Sequence, residues 1–335
     1  MFIDAMLPTA DFSPTSASAA ERDGYHTLWV GETSRDPFLI ALLAAEATGR
    51  VRVGTNIAVA FARNPMTVAS TAYDLAGYSD GRFILGLGSQ IKAHIERRFS
   101  MPWSHPAARM REFVLAMRAI WSSWATEQPL DFRGEFYRHT LMTPFFVPDR
   151  HAAGPPPVYL AGVGRHMTEV AGEVGDGYLW HPFTTQRFLR EVTLPALRRG
   201  RARADRAGEL ELTGQAFVIT GRDEHEIRTA TVGVKNRIAF YASTPAYRAV
   251  LELHGMSELQ PELTALSKQG RWTEMTELIP DELVAAVAVT GTPEEAGRGL
   301  RARWSDVASS ISLYAPYEAD PGLWPIVARA ARGET

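Results

Sequence analysis

The stretch RFILGLG (Arg82–Gly88) is apolar or glycine from its second residue onward, with no alternation of polar and apolar positions. A strand with one wet face alternates. A strand covered on both faces does not, and short continuous apolar runs of this kind belong to parallel sheets flanked by helices. The run ends in Gly86 and Gly88 and is followed by Ser89 and Gln90. The backbone can therefore come close to another group where the strand stops.

The same design recurs on either side. Upstream, FIDAML (Phe2–Leu7) and HTLWV (His26–Val30) read as strands and VRVGTNIAVAF (Val51–Phe61) holds a third, ending at Thr55-Asn56-Ile57; downstream, PVYLA (Pro157–Ala161), GYLW (Gly177–Trp180), LTGQAFVIT (Leu212–Thr220) and SSISLYA (Ser309–Ala315) read as strands. Helices lie between them. Asp36 is placed as an N-cap, with Pro37 at the first helical position and Gly49 past the end. Asn64-Pro65 starts another helix, and Thr292-Pro293-Glu294-Glu295 is a capping box. Eight strands alternating with helices predict a (β/α)8 TIM barrel in the α/β class. An open doubly wound sheet is the runner-up. Two segments break the rhythm. Residues 130–150 alternate like a hairpin turning at Arg133-Gly134. Residues 240–286 are helix-rich and longer than one crossover needs. Both read as insertions into a single barrel domain over residues 1–335.

Composition removes several function classes. Of the 335 residues, 45% are hydrophobic and 22% charged, enough for a large core and unlike a disordered, collagenous or coiled-coil chain. There is no cysteine, which excludes disulfides, thiolate metal sites, iron–sulfur clusters and cysteine nucleophiles. The net charge of −3 gives no general affinity for nucleic acid. The basic run Arg198–Arg203 lacks interleaved aromatics and reads as a solvated helix end. No two histidines have the spacing of a helical zinc site, so no metal is expected. The most apolar stretch, Pro37 to Ala45, is far short of the roughly 20 residues of a membrane span. Asp4 stands where a signal peptide would be basic. These features read as a cytoplasmic protein with no membrane partner.

In a barrel of this type, chemistry sits at the C-terminal ends of the strands. Those ends carry Glu32, Asn56-Ile57, Gly88-Ser89-Gln90, Ala161-Gly162-Val163-Gly164-Arg165-His166, and His181. The loop at 161–166 opens directly into a helix, whose N-terminus favours a phosphate; a plain strand-to-helix turn is the alternative. Glu32 either contacts a ligand and moves a proton or forms a structural ion pair with Arg35 or Arg63. In an apolar pocket it would be a general acid. His181, a group that ordinarily titrates near neutrality, is the second catalytic candidate; a rim histidine bonded to backbone is its alternative. Trp103, Trp180 and Phe183 are candidate substrate-pocket residues. Trp121 and Trp124 share one helix face and read as core.

Residues 54–90, GTNIAVAFARNPMTVASTAYDLAGYSDGRFILGLGSQ, resemble the core of the luciferase-like flavin and deazaflavin oxidoreductases. There a GT…A…R-P segment precedes a helix and a GRF-LGLG strand. PPVYLAGVGRHMTEVAGEVGDGYLWHPF (Pro156–Phe183), RIAFYASTPAYRAVLELHG (Arg237–Gly255) and VTGTPEEA (Val289–Ala296) continue the match and are similar to its actinobacterial coenzyme F420-dependent branch. The resemblance implies a non-proline cis bond at Asn56–Ile57, behind a tricyclic ring. It places Gly88, Ser89 and Gln90 at positions that contact the cofactor. Ala161 to His166 become its phosphate loop, and Glu32 the acidic residue at the ring. The histidine that follows that acid in the family is Thr33 here. The family is usually dimeric, so a homodimer is implied. The function it implies is hydride transfer between F420 and a small organic substrate. Two alternatives stand beside it: a monooxygenase using reduced FMN and oxygen, and a barrel that binds a phosphorylated ligand without redox chemistry.

Overall fold

The structure is a computed structural model that describes residues 1–204, 208 and 210–334. Its strands are β1 (Phe2–Met6), β2 (Thr27–Val30), β3 (Arg52–Thr55), β4 (Ala58–Val59), β5 (Phe83–Gly88), β6 (Phe132–Arg133), β7 (Arg138–His139), β8 (Val158–Ala161), β9 (Gly177–Trp180), β10 (Glu211–Thr220), β11 (Ala288–Gly291) and β12 (Ser310–Tyr314). The large sheet is parallel and runs β11-β10-β12-β1-β2-β3-β5-β8-β9, with β9 also pairing with β10. Eight of these nine strands, all but β11, are joined by helical crossovers and make the (β/α)8 barrel that the strand rhythm predicts. Among the described residues no helix is long and apolar enough to cross a membrane.

The chain divides into two compact units. One is Ala5–Leu179 with Ala196–Glu211; the other is Met1–Asp4, Trp180–Pro195 and Leu212–Thr335. In the first, all of β2 and all of β5 are buried, which is why neither alternates in sequence. Glycines on one strand make room for large side chains on the next. A Cβ on Gly54 would lie 2.5 Å from the Trp29 ring, and one on Gly177 would lie 2.6 Å from the Tyr159 ring. Trp29, Ile84, Tyr159 and Leu179 form the resulting core cluster.

Helix starts follow the sequence signals. The Asp36 side chain accepts from the Phe38 N–H, that of Asn64 from Thr67, and Thr292 with Glu295 forms the full capping box. Trp121 and Trp124 are buried, Trp121 donating from its ring nitrogen to Ala69 O.

Three expectations change in detail. The third strand ends at Thr55, as read, but a further short strand follows it: β3 and β4 both pair with β5. The hairpin turn spans residues 134–137, closed by Gly134 N–H to Tyr137 O at 2.9 Å. It is docked by Glu112, whose carboxylate accepts from the backbone N–H groups of Glu135, Phe136 and Tyr137. The strand β11 is not legible in sequence. It follows the helix Asp281–Val287 without a break and carries the same small apolar residues.

In the second unit β10 pairs with both β11 and β12, and β12 with the start of β1. Asp4 is wholly buried there and accepts from the hydroxyls of Thr213 and Ser310. The helices Glu224–Ala242, Arg248–Leu253, Leu259–Lys268, Trp272–Glu277 and Asp281–Val287 occupy the helix-rich segment and build a core of their own.

Candidate active site

In the unit Ala5–Leu179, the C-terminal ends of β2, β4, β5 and β8 lie side by side through the parallel pairing. Between β3 and β4 the Asn56–Ile57 peptide bond is cis. Its flanks are pinned on β2: Asn56 N–H donates to Val30 O at 2.7 Å, and Glu32 N–H donates to Ile57 O at 3.1 Å. The buried Thr55 hydroxyl accepts from Gly86 N–H at 2.9 Å and donates to Gly86 O at 2.7 Å. Ile57 packs where a Gly88 side chain would stand, 2.8 Å from that Cβ position. Asn56 Nδ2 is buried with no hydrogen-bond partner. Such atoms are rare in a finished core.

Glu32 pairs with Arg63, not Arg35. Its Oε2 accepts from Arg63 Nη1 and from Val59 N–H, both at 2.7 Å. Arg63 Nη2 reaches Asp36 at 2.8 Å. Burial works against the Arg63 charge, but the bonds and charges of Glu32 and Asp36 outweigh it and hold the guanidinium above its ordinary value. The carboxylate thus faces a cation and not the apolar pocket that would make it a general acid. Its Oε1 has no protein partner among the described residues.

The loop after β8 leads into the helix Arg165–Val174, with Gly164 at the N-cap and no side chain capping it. The first-turn N–H groups keep their donors free in that case. A Cβ on Gly164 would meet nothing within 4 Å, whereas one on Gly162 would press on Met167 at 2.8 Å. Gly162 is there for close packing, Gly164 for open space. Neither has positive φ; in this region that belongs to Gln90, at 60°. Ser89 and Gln90 are half-buried and bonded locally: the Ser89 hydroxyl donates to Gln90 O, and Gln90 Oε1 accepts from Ile91 N–H. Gly164, Arg165 and His166 are exposed.

Behind the loop, the basic run is only partly solvated. Glu169 Oε1 accepts from Arg199 at 2.9 Å and Arg165 at 3.0 Å, and Oε2 from Arg203 at 2.8 Å. Bonds from Arg199 and Arg165, then Arg203, bring its carboxyl down to about 2 from an ordinary 4.5. A lowered folded value adds stability that is complete above the unfolded value. It is lost as pH falls from about 4.5 toward about 2. The three arginines are about half exposed, which screens the effect. Glu169→Gln is expected to cost about 1–2 kcal/mol at pH 7 in urea unfolding, with the difference from wild type fading by about pH 2. A difference that does not shrink with acid would refute this account.

Trp103 is half-buried, edge-on to Phe61 at 5.7 Å. In the other unit His181 lies between two rings, stacked on Tyr247 at 4.5 Å and edge-on to Tyr241 at 4.4 Å. Its Nδ1 accepts from Phe183 N–H at 3.1 Å, which leaves the proton on Nε2. Burial lowers it to about 3, so it does not titrate near neutrality. It is a fixed hydrogen-bond donor there, not an imidazolium acid. Trp180 and Phe183 are core residues rather than pocket lining. Trp180 stacks on Trp304 at 5.6 Å and bonds Gln215 O, and Phe183 is 1% exposed against Tyr241 and Tyr247. The reason is strand alternation: Leu179 takes the core cluster with Trp29, so its neighbour faces the opposite way.

The luciferase-like monooxygenase family model matches residues 7–309. The chain belongs to that family. It is an oxidoreductase on this ground. An uncharacterized protein of Mycobacterium tuberculosis is 52% identical over 297 residues, covering 88% of this chain and 87% of its own. The 5,10-methylenetetrahydromethanopterin reductase of Archaeoglobus fulgidus is 26% identical, covering 82% of this chain and 81% of its own. Among solved structures, the coenzyme F420-dependent tetrahydromethanopterin reductase of Methanopyrus kandleri superposes with a TM-score of 0.77 over 98% of both chains at 20% identity. That likeness is one of fold. Sequence reasoning missed Phe61 and, packed over its ring, Arg109. Arg109 had a signal: a charge at the head of the buried helical stripe Arg109, Phe113, Ala116, Ile120.

Proposed function

We propose that this chain is a coenzyme F420-dependent oxidoreductase acting on a small organic substrate. The observation that carries the reading is the pairing of the buried, unpartnered Asn56 Nδ2, beside an Ile57 closely backed by Gly88, with an uncapped, glycine-started helix on neighbouring strand ends. Similarity to a putative coenzyme F420-dependent oxidoreductase of Mycobacterium tuberculosis, 28% identical over 295 residues, supports it. The residues fit such a group. The buried, unpartnered Asn56 Nδ2 and the open space at Gly164 are both accounted for by a ligand with a ring and an anionic tail. When bound, the deazaflavin supplies a hydride at ring carbon 5, two electrons and one proton, for exchange with an electrophilic substrate carbon.

The chain's own groups bind and orient. Ile57, Gly88, Ser89 and Gln90 are the residues that would hold the ring. Ala161, Gly162, Val163, Gly164, Arg165 and His166 hold the phosphate on backbone N–H groups and the helix N-terminus. Glu32, anchored through Oε2, offers Oε1 as an acceptor for a proton-bearing ligand group.

Equilibrium titration with F420, with the tail-less 8-hydroxy-5-deazaflavin and with FMN tests this. Micromolar binding of F420, weaker binding of the tail-less form and none of FMN is expected. Micromolar FMN binding without F420 binding would instead favour reduced FMN and oxygen. Bound reduced F420 that no enone or imine oxidises would leave only a ligand-binding barrel.

A further inference from the structure

Arg109 is 7% exposed in the first turn of the helix Pro106–Thr126, where a cation opposes the helix dipole. Buried guanidinium groups are ordinarily paired with carboxylates. Among the described residues, Arg109 has no ion pair. The nearest acid on its own helix face, Glu112, spends both oxygens on three backbone N–H groups of the hairpin. The bonds that Arg109 does make are neutral. Nε donates to the Tyr137 hydroxyl at 3.0 Å, and Nη1 donates to Pro102 O. The guanidinium lies over the Phe61 ring at 5.0 Å and near that of Tyr137 at 5.6 Å. Five N–H donors are available in the fork, and Nη2 has no protein acceptor. Nor is it among the sealed-off polar atoms that lack partners. It therefore reaches accessible surface.

Its neighbours tie Arg109 to the strand ends already described. Phe61 is two residues past β4, whose Val59 N–H binds Glu32, and Trp103 packs edge-on to the same ring. An uncompensated cation, desolvated by two aromatic faces and held at a fixed angle by Tyr137, is built to meet a negative group. We infer that Arg109 is the specificity residue for an oxyanion, a carboxylate or phosphate, carried by the substrate. This rests on the oxidoreductase reading only in calling the ligand a substrate. The same anion chemistry could come from the cofactor's tail, and the experiment separates the two.

Calorimetric binding of cinnamate, benzyl phosphate and the neutral methyl cinnamate is measured on wild type, Arg109→Gln, Arg109→Lys and Tyr137→Phe, with and without F420. Wild type is expected to prefer at least one anion over the neutral ester by about tenfold or more. Arg109→Gln loses that preference. Arg109→Lys keeps a part of it, and Tyr137→Phe, which removes only a strut, keeps most. No preference in wild type overturns the inference, as does an unchanged preference in Arg109→Gln or an equal loss in Tyr137→Phe. Weaker F420 binding by Arg109→Gln, with the tail-less deazaflavin unaffected, assigns the anion to the cofactor and overturns the substrate assignment. If wild type binds no F420 yet prefers the anion, the proposed function fails and the anion site stands.

Discussion

Gly164→Asp is expected to hold the fold slightly better and the cofactor much worse. Gly164 sits at an N-cap with extended backbone, φ −95° and ψ 150°, and nothing stands within 4 Å of where its Cβ would be. Aspartate at such a position caps first-turn N–H groups and complements the helix dipole, adding about 0.3–1 kcal/mol. The same carboxylate takes the donors that the proposal assigns to a phosphate and adds a like charge. F420 affinity is expected to fall by about 30-fold or more, while affinity for the tail-less deazaflavin stays near wild type. Gly164→Ser caps without charge and separates the two contributions. Paired urea unfolding and fluorescence titration give both answers from one preparation. Undiminished F420 affinity in Gly164→Asp would show that the tail lies elsewhere.

Gly86→Ala is expected to be the most damaging single methyl in the unit Ala5–Leu179. Its Cβ would stand 1.8 Å from Thr55 O and 2.8 Å from Leu179 Cδ1. The first contact is with backbone, so no rotamer change relieves it. The strands must part, which breaks the two bonds between the Thr55 hydroxyl and Gly86. The cost is about 3 kcal/mol or more, seen as a lower urea midpoint or as insoluble protein. Gly164→Ala, with open space at the same atom, serves as the control and is expected to lie within about 0.5 kcal/mol of wild type. Equal midpoints for the two alanine variants would show that β3 and β5 yield more easily than their geometry indicates.

The barrel strands were legible because strands covered on both faces leave an unbroken apolar run, and helix starts because Asp36, Asn64 and Thr292 cap as their chemistry dictates. What was not legible has equally local causes. GYLW is apolar at every position, so nothing in it says which side chain faces the interior; Trp180 went to Trp304 because Leu179 took the inner place. The short strand β4 has no compositional mark, and the cis bond before it came from the family resemblance alone. The state of His181 depends on Tyr241 and Tyr247, which lie 60 or more residues away in sequence. Glu32 could be nominated and its partner narrowed to Arg35 or Arg63 but not decided: Arg35 was as near in the chain as any cation, and the fold chose Arg63.

The interlocking of Gly54 with Trp29 and of Gly177 with Tyr159 bears on how this protein can be diversified. Volume on one strand there is borrowed from the adjacent one, so a gain at either site must be matched by a loss across the ladder. Single-site libraries aimed at those rungs will return mostly inactive clones. Paired exchanges, or randomisation of the rim around Trp103, leave the lattice intact and are where altered selectivity is to be sought.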